Sequence, residues 1–374
     1  MKQRALTPAA LVAALLLGTA LTGANGAQPM SGTTGSRDVG SLALVGQATE
    51  QRTVTAAYDL GDTAFTDPET GTVSEVRAVV RYPARVSGRL PLVVVSHGSW
   101  YACTEQDATA WPCDKGTSYP SYQGYDYLAK SLAERGFVVV SLSANGINMA
   151  SFDYGDRARL INEHLLLWRQ LADGRGALAK RLPSLRGHLD MQRVGTIGHS
   201  RGGKAVMWQA SDKHRGEVPA GVRVGAVLAL APVKFDDPDG DNSDTLVTRT
   251  PVAVVTSGCD GAVGEAGQKY LDDAQGRTAQ PAYSVSLRDA NHNFFNTQWT
   301  PPASLGEDDS TCPDHALAPK VQQNALTAYA TAFFEVHLKG DTAGTGLLTG
   351  VRALPGVAST TRVVEPVTKH QLDH

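Results

Sequence analysis

The sequence predicts an α/β fold: a mostly parallel central sheet with helices on both faces and an antiparallel edge at its N-terminal end. Three observations lead there. Runs of consecutive apolar residues, Leu92-Val93-Val94-Val95 and Phe137-Val138-Val139-Val140 among them, have the character of strands buried on both faces. These runs alternate with segments of helical period, the pattern of βαβ units. Residues 194–208 join a β-branched strand to a run of good helix formers through a turn that carries one serine, Gly198-His199-Ser200-Arg201-Gly202.

The elements follow in order. Residues 1–27 have a basic start (Lys2, Arg4), an apolar stretch over 9–21 and small residues before Gly26 and Ala27. That is the layout of a secretory signal peptide, and the apolar stretch is shorter than the ~20 residues that span a bilayer. Residues 28–46 are rich in Gly, Ser and Thr and form a flexible lead-in. Strands at 52–58 and 73–82, separated by the turn chemistry of Asp67-Pro68-Glu69-Thr70-Gly71, make the antiparallel edge. Buried strands are expected at 92–96, 137–142, 194–199, 224–230, 251–256 and 283–287. Helices are expected at 125–135, stopped by Gly136, at 157–172, after Ser200, and at 322–338, ended by Gly340. The catalytic domain is thus 47–342. Residues 343–374 read as a C-terminal tail, with an edge strand within 351–364.

Composition bounds the function. Against 34 Lys+Arg stand 37 Asp+Glu, so no basic surface argues for nucleic acid or an anionic membrane. No later stretch is long and apolar enough for stable membrane insertion. The 42% apolar content suffices for a sizeable core. An exported chain with four cysteines points to disulfides. Of three connectivities the sequential one is expected, Cys103 with Cys113 and Cys259 with Cys312. Their spacings do not form the paired knuckles of a zinc site.

In a parallel sheet, ligands bind beyond the carboxyl ends of the strands, so the loops that follow each strand carry the chemistry. Ser200 at a strained strand-to-helix turn is the expected nucleophile, with glycines keeping Cβ atoms out of the contact. The loop Ser96-His97-Gly98-Ser99-Trp100 is placed to supply an oxyanion-hole amide from Ser99, or alternatively Trp100; the second amide is that of Arg201. Trp100, Tyr101 and Phe294 are candidates for the walls of a substrate pocket. Asp260, in Ser257-Gly258-Cys259-Asp260-Gly261, sits where the triad acid belongs. Its rival is the acidic run Asp236-Asp237-Pro238-Asp239-Gly240-Asp241, otherwise a solvated loop or weak cation site. His292, after the last buried strand, is the expected general base. The order Ser200, Asp260, His292 differs from the chymotrypsin and subtilisin orders. The scheme needs no metal and no organic cofactor.

With these residues in view, the chain resembles secreted bacterial α/β-hydrolases of the dienelactone-hydrolase and cutinase-like polyester-hydrolase neighbourhood. Gly198-His199-Ser200-Arg201-Gly202-Gly203-Lys204 also looks like the nucleophile motif of chlorophyllases. Trp111-Pro112-Cys113, Ser143-Ala144-Asn145-Gly146-Ile147-Asn148 and Ala290-Asn291-His292-Asn293-Phe294-Phe295-Asn296 complete a resemblance that spans about residues 50–340. It implies an α/β-hydrolase fold and a secreted, extracellular serine esterase acting on a small-molecule or polymeric ester; the oligomeric state is not written in the sequence, and a monomer is the expectation. An amidase or peptidase with the same triad, and a non-catalytic binding protein on this scaffold, are the competing expectations. Two features depart from the polyester hydrolases: Arg201 follows the nucleophile, and the insertion between Cys103 and Tyr122 is longer. Dienelactone hydrolases use a cysteine where this chain has Ser200.

Overall fold

The computed structural model describes residues 52–150, 154–235, 240–312, 314 and 316–367. The segments 1–27 and 28–46, and Asp236, Asp237, Pro238 and Asp239 of the acidic run, lie outside the described residues. The described residues belong to one compact unit, Thr49–His374.

The chain opens with β1 (Thr53–Asp59), the short pair β2 (Phe65–Thr66) and β3 (Val73–Ser74), then β4 (Arg77–Pro83) and β5 (Leu90–Ser96). Next come α1 (Asp126–Glu134), β6 (Val138–Leu142), α2 (Asn145–Ala150), α3 (Tyr154–Ala172), β7 (Leu189–His199) and α4 (Arg201–Ala210). The second half contributes β8 (Val224–Leu230), β9 (Val252–Ser257), α5 (Lys269–Ala274), β10 (Ala282–Leu287), α6 (Pro319–Phe334), α7 (Thr345–Leu348) and β11 (Ser359–Val364). The main sheet runs β1-β4-β6-β5-β7-β8-β9-β10-β11, and β2 pairs with β3 in a small antiparallel sheet. From β6 to β10 all neighbours are parallel; β1 and β4 form the antiparallel edge the sequence predicts.

The pleat explains why the strands read as unbroken apolar runs. Leu92 and Val94 face one core, shared with Leu160, Leu165 and Trp168 of α3 and Val206 of α4. Val93 and Val95 face the other, shared with Leu128 and Leu132 of α1 and Leu326 and Phe333 of α6. Each such side chain, fully buried, contributes ~1.5–3 kcal/mol. Among the described residues no helix is long and apolar enough to cross a membrane. Disulfides join Cys103 to Cys113 and Cys259 to Cys312.

Several elements differ from the sequence reading: α2 and α5 are not expected from it, and β7 starts at Leu189 rather than at 194. The strand expected over 73–82 is broken at Glu75, whose buried carboxylate turns inward. It accepts from Ser74 Oγ (2.8 Å) and from the backbone amides of Asn145 (2.7 Å) and Gly146 (3.0 Å), so it caps α2. The last long helix starts and ends earlier than expected, at Pro319 and Phe334, and passes into a π turn over Glu335–Lys339. Gly340 closes that turn at φ 73°, a left-handed C-terminal cap. Residues beyond 342 are more than a tail: α7, not expected, packs on α6, and the edge strand expected within 351–364 is β11, which pairs antiparallel with β10 from Ala282↔Val364 to Leu287↔Ser359.

Three buried histidines contribute to the acid sensitivity of this fold. His164 on α3 is fully buried, with its Nδ1 2.6 Å from the Tyr58 hydroxyl, which also accepts from Trp168 Nε1 at 3.1 Å. Burial pushes His164 down to about 3. Burial, then the charge of Arg157, pushes His97 down to about 3. Burial, then the facing His292, puts His199 well below its ordinary value. Each is a base whose folded pKa lies below its unfolded value of 6.5. The stabilisation is therefore complete above pH 6.5 and is lost as the pH falls from there toward 3. Thermal melts between pH 7 and 4 are expected to show stability falling by up to about 4 kcal/mol per pH unit for the three groups. His164→Leu should flatten that slope by about one proton.

Candidate functional site

Ser200 occupies the turn between β7 and α4 with φ 57° and ψ −119°. A non-glycine residue at positive φ is strained and persists only where its surroundings hold it. Here the backbone does so. Ser200 N donates to Leu230 O (2.9 Å), and Ser200 O accepts from Gly203 N (2.9 Å) and Val233 N (3.1 Å). The flanking glycines are required by contact. A Cβ on Gly198 would lie 1.9 Å from Gly202 O, and one on Gly202 would lie 2.5 Å from Ser96 O. Among the described residues two further non-glycine residues take positive φ, Ala231 (38°) just after β8 and Asp289 (63°) after β10. Backbone strain therefore gathers on the rim where these strands end.

The loop after β5 lies against the serine. A Cβ on Gly98 would meet Ser200 Cβ at 2.5 Å and Ser200 Oγ at 3.1 Å. The Gly98 carbonyl is held by two side chains, His97 Nδ1 (2.8 Å) and Asn148 Nδ2 (3.1 Å). Because His97 Nε2 accepts from the Ala144 amide (2.9 Å), its proton is on Nδ1, which donates to Gly98 O. The planar trans peptide then turns the Ser99 N–H to the opposite side of that carbonyl. Arg157, buried on α3, donates to His97 O at 3.0 Å and to Asn148 Oδ1. Its guanidinium is pushed down to about 10 by burial and then by the charge of Arg201, so it stays cationic at neutral pH. Arg201 opens α4, and the leading amides of a helix point along its axis toward the rim.

Asp260 and His292 meet from the loops after β9 and β10. His292 Nδ1 is 2.7 Å from Asp260 Oδ2. Asp260 Oδ1 is occupied by three backbone amides, those of Ala262 (2.8 Å), Val263 (2.7 Å) and Gly264 (3.3 Å). The carboxylate is thus oriented by one oxygen and presents the other to the imidazole. With Nδ1–H donating to Asp260, Nε2 of His292 carries the lone pair. The His292 ring lies 4.8 Å, centroid to centroid, from His199, the residue preceding the serine. Ser200, Asp260 and His292 are all buried, Ser200 at 6% exposure. Among the described residues the contact made within the expected triad is that of His292 with Asp260.

An aromatic cluster supports these loops. Buried Trp299 stacks on Trp100 (5.1 Å, 18°) and lies 5.0 Å from His199 and 6.4 Å from His97. Its Nε1 donates to Ser121 Oγ at 3.0 Å. Tyr101 is 40% exposed and meets Trp100 edge-on at 5.6 Å, whereas Phe294 is buried within the base loop.

Sequence reasoning assigned no role to Glu75, Tyr125, Asn148, Arg157 or Asp309. Tyr125 hydroxyl lies 2.9 Å from His199 Nδ1. Asn148 had a signal, since it follows a buried strand on the ligand-binding rim. Arg157 and Glu75 had none, being read as parts of regular elements. No protein-family profile and no curated protein matches this chain.

The close approach at the turn is directly testable. Gly198→Ala is expected to leave little folded protein, or to lower the melting temperature by more than 10 °C, because backbone blocks the added Cβ. Gly216→Ala, where nothing lies within 4 Å of the added atom, should be neutral in the same melts.

Proposed function

We propose that the chain is a secreted serine hydrolase of the α/β-hydrolase fold that cleaves carboxylic esters through an acyl-enzyme. The observation that carries this reading is the Asp260–His292 pair at 2.7 Å, set beside the strained turn that holds Ser200. The order of the three residues along the chain and the parallel sheet beneath them support it. The two disulfides and the export-signal layout of residues 1–27 support secretion.

In this scheme the Ser200 hydroxyl rotates toward His292 when an ester enters, a contact that tightens only with substrate in place. Nε2 of His292 takes the proton as Oγ attacks the carbonyl carbon, and Asp260 stabilises the imidazolium that forms. The oxyanion is received by the amides of Ser99 and Arg201, each worth about 3–4 kcal/mol of transition-state stabilisation. The imidazolium then protonates the leaving alcohol, and water, activated by the same histidine, releases the acid. Trp100, Tyr101 and Phe294 are assigned to the substrate side of the site. The substrate is a small-molecule or polymeric ester, and the scheme needs no cofactor.

A fluorophosphonate probe should label the wild-type chain and fail to label Ser200→Ala. Hydrolysis of p-nitrophenyl esters should fall at least 1,000-fold in Ser200→Ala and in His292→Ala. Faster turnover of matched amides than of esters would replace the esterase reading with an amidase; no labelling and no turnover would favour a binding protein.

The Gly98 peptide gives a second test. Asn148→Ala removes one of the two donors that hold its carbonyl, and is expected to lower kcat about 10-fold with KM nearly unchanged. A change confined to KM would count against the role of the Ser99 amide.

A further inference from the structure

A second carboxylate lies behind the catalytic pair. Asp309 comes from the chain segment between the base loop and α6, 17 residues after His292 in sequence. Its Oδ2 accepts from the backbone amides of His292 (3.1 Å) and Gly261 (3.2 Å), and its Oδ1 accepts from the Asn293 amide (2.9 Å). Gly261 directly follows Asp260. One side chain therefore grips the backbone of the acid loop and of the base loop next to both residues of the pair. The fit leaves no slack, since a Cβ on Gly261 would lie 2.2 Å from Asp309 O.

Neighbouring contacts brace Asp309 itself. Asp308 Oδ1 accepts from Asn291 Nδ2 (2.8 Å) and from the Ser310 amide (2.9 Å). Thr311 N donates to Cys259 O (2.9 Å), and the Cys259–Cys312 disulfide ties the same segment to the residue before Asp260. The disulfide limits how far the segment can drift from the acid loop. Its attachment is one residue removed from Asp260, and its link to His292's loop is the Cys259 amide, which donates to Ala290 O (2.9 Å) two residues before His292. The three amide contacts of Asp309 act at the angle between imidazole and carboxylate.

We propose that Asp309 is a positioning residue, which holds the backbones of Gly261, His292 and Asn293 in the register that keeps His292 Nδ1 on Asp260. It touches neither substrate nor reacting atoms and acts only through His292. This rests on the hydrolase reading for its kinetic consequence, although the hydrogen bond it protects is observable without turnover.

The test compares Asp309→Ala and Asp309→Asn in the full chain with its disulfides intact. The downfield proton resonance of the His292 Nδ1–H, identified by its loss in His292→Ala, should be present in wild type and broadened or lost in Asp309→Ala. With p-nitrophenyl acetate, kcat should fall about 10–100-fold in Asp309→Ala, with KM within about twofold. Asp309→Asn, which keeps one acceptor for two of the three amides, should recover part of that loss. In an Asp260→Asn background, Asp309→Ala should cost less than about threefold more, since both act through the same imidazole. A lowered melting temperature with kcat and the downfield resonance unchanged would overturn the proposal, as would full additivity with Asp260→Asn. If wild type is not labelled by fluorophosphonate and shows no turnover, the hydrolase reading fails while the resonance still decides the positioning role.

Discussion

The whole rim depends on how closely backbone is packed against backbone around Ser200. Gly198, Gly202 and Gly98 each lack the Cβ that would collide with a neighbouring main chain or with the serine itself. That crowding holds Ser200 at a positive φ that an isolated chain would leave, and it fixes where α4 starts relative to β7. The strain is sustained by the sheet beneath, whose parallel core from β6 to β10 is buried on both faces. A looser sheet would let the turn relax.

Around this turn the polar groups are arranged as a chain of supports rather than as isolated pairs. Glu75 caps α2, α2 presents Asn148, Asn148 and His97 hold the Gly98 carbonyl, and Arg157 ties His97 to Asn148. The side chains of Glu75, His97, Asn148 and Arg157 each have polar partners in this series, as burial of polar atoms demands. A neutral, buried His97 suits this role because it donates from one ring nitrogen and accepts at the other without carrying charge. On the other side of the serine, Asp309 and the Cys259–Cys312 disulfide hold the acid and base loops together. In the proposed hydrolase, the first chain orients an amide and the second orients an imidazole. Both serve preorganisation, the arrangement of dipoles before charge develops.

Much of this was legible in the residues. The buried strands announced themselves because a pleated strand with a core on each face has no polar side to show. Ser200 was legible because a strand, a glycine-flanked serine and a helix in succession admit few conformations. Asp260 and His292 were legible by position, each in the first loop after a buried strand. The broken strand at Glu75 was not, because a single acidic residue in an alternating run looks like its solvent-facing side. Nor was α7, a single turn at Thr345–Leu348 with no stretch long enough to show a helical period, whereas β11 lies within the edge strand expected over 351–364.

The sequence by itself determined the alternation of the main strands and helices, the serine at the turn and the placing of Asp260 and His292 on loops after buried strands, since these are written in local periodicity and in the backbone freedom of glycine. Only the tertiary structure decided that Asp260 gives one oxygen to three amides and the other to His292, that the Gly98 carbonyl is held from two sides, and that Asp309 spans two loops. The contacts among them that cross between loops join residues 16 to 50 positions apart. Their geometry exists only once the sheet has brought its strand ends to one rim, and no local signal in the chain encodes a distance across it.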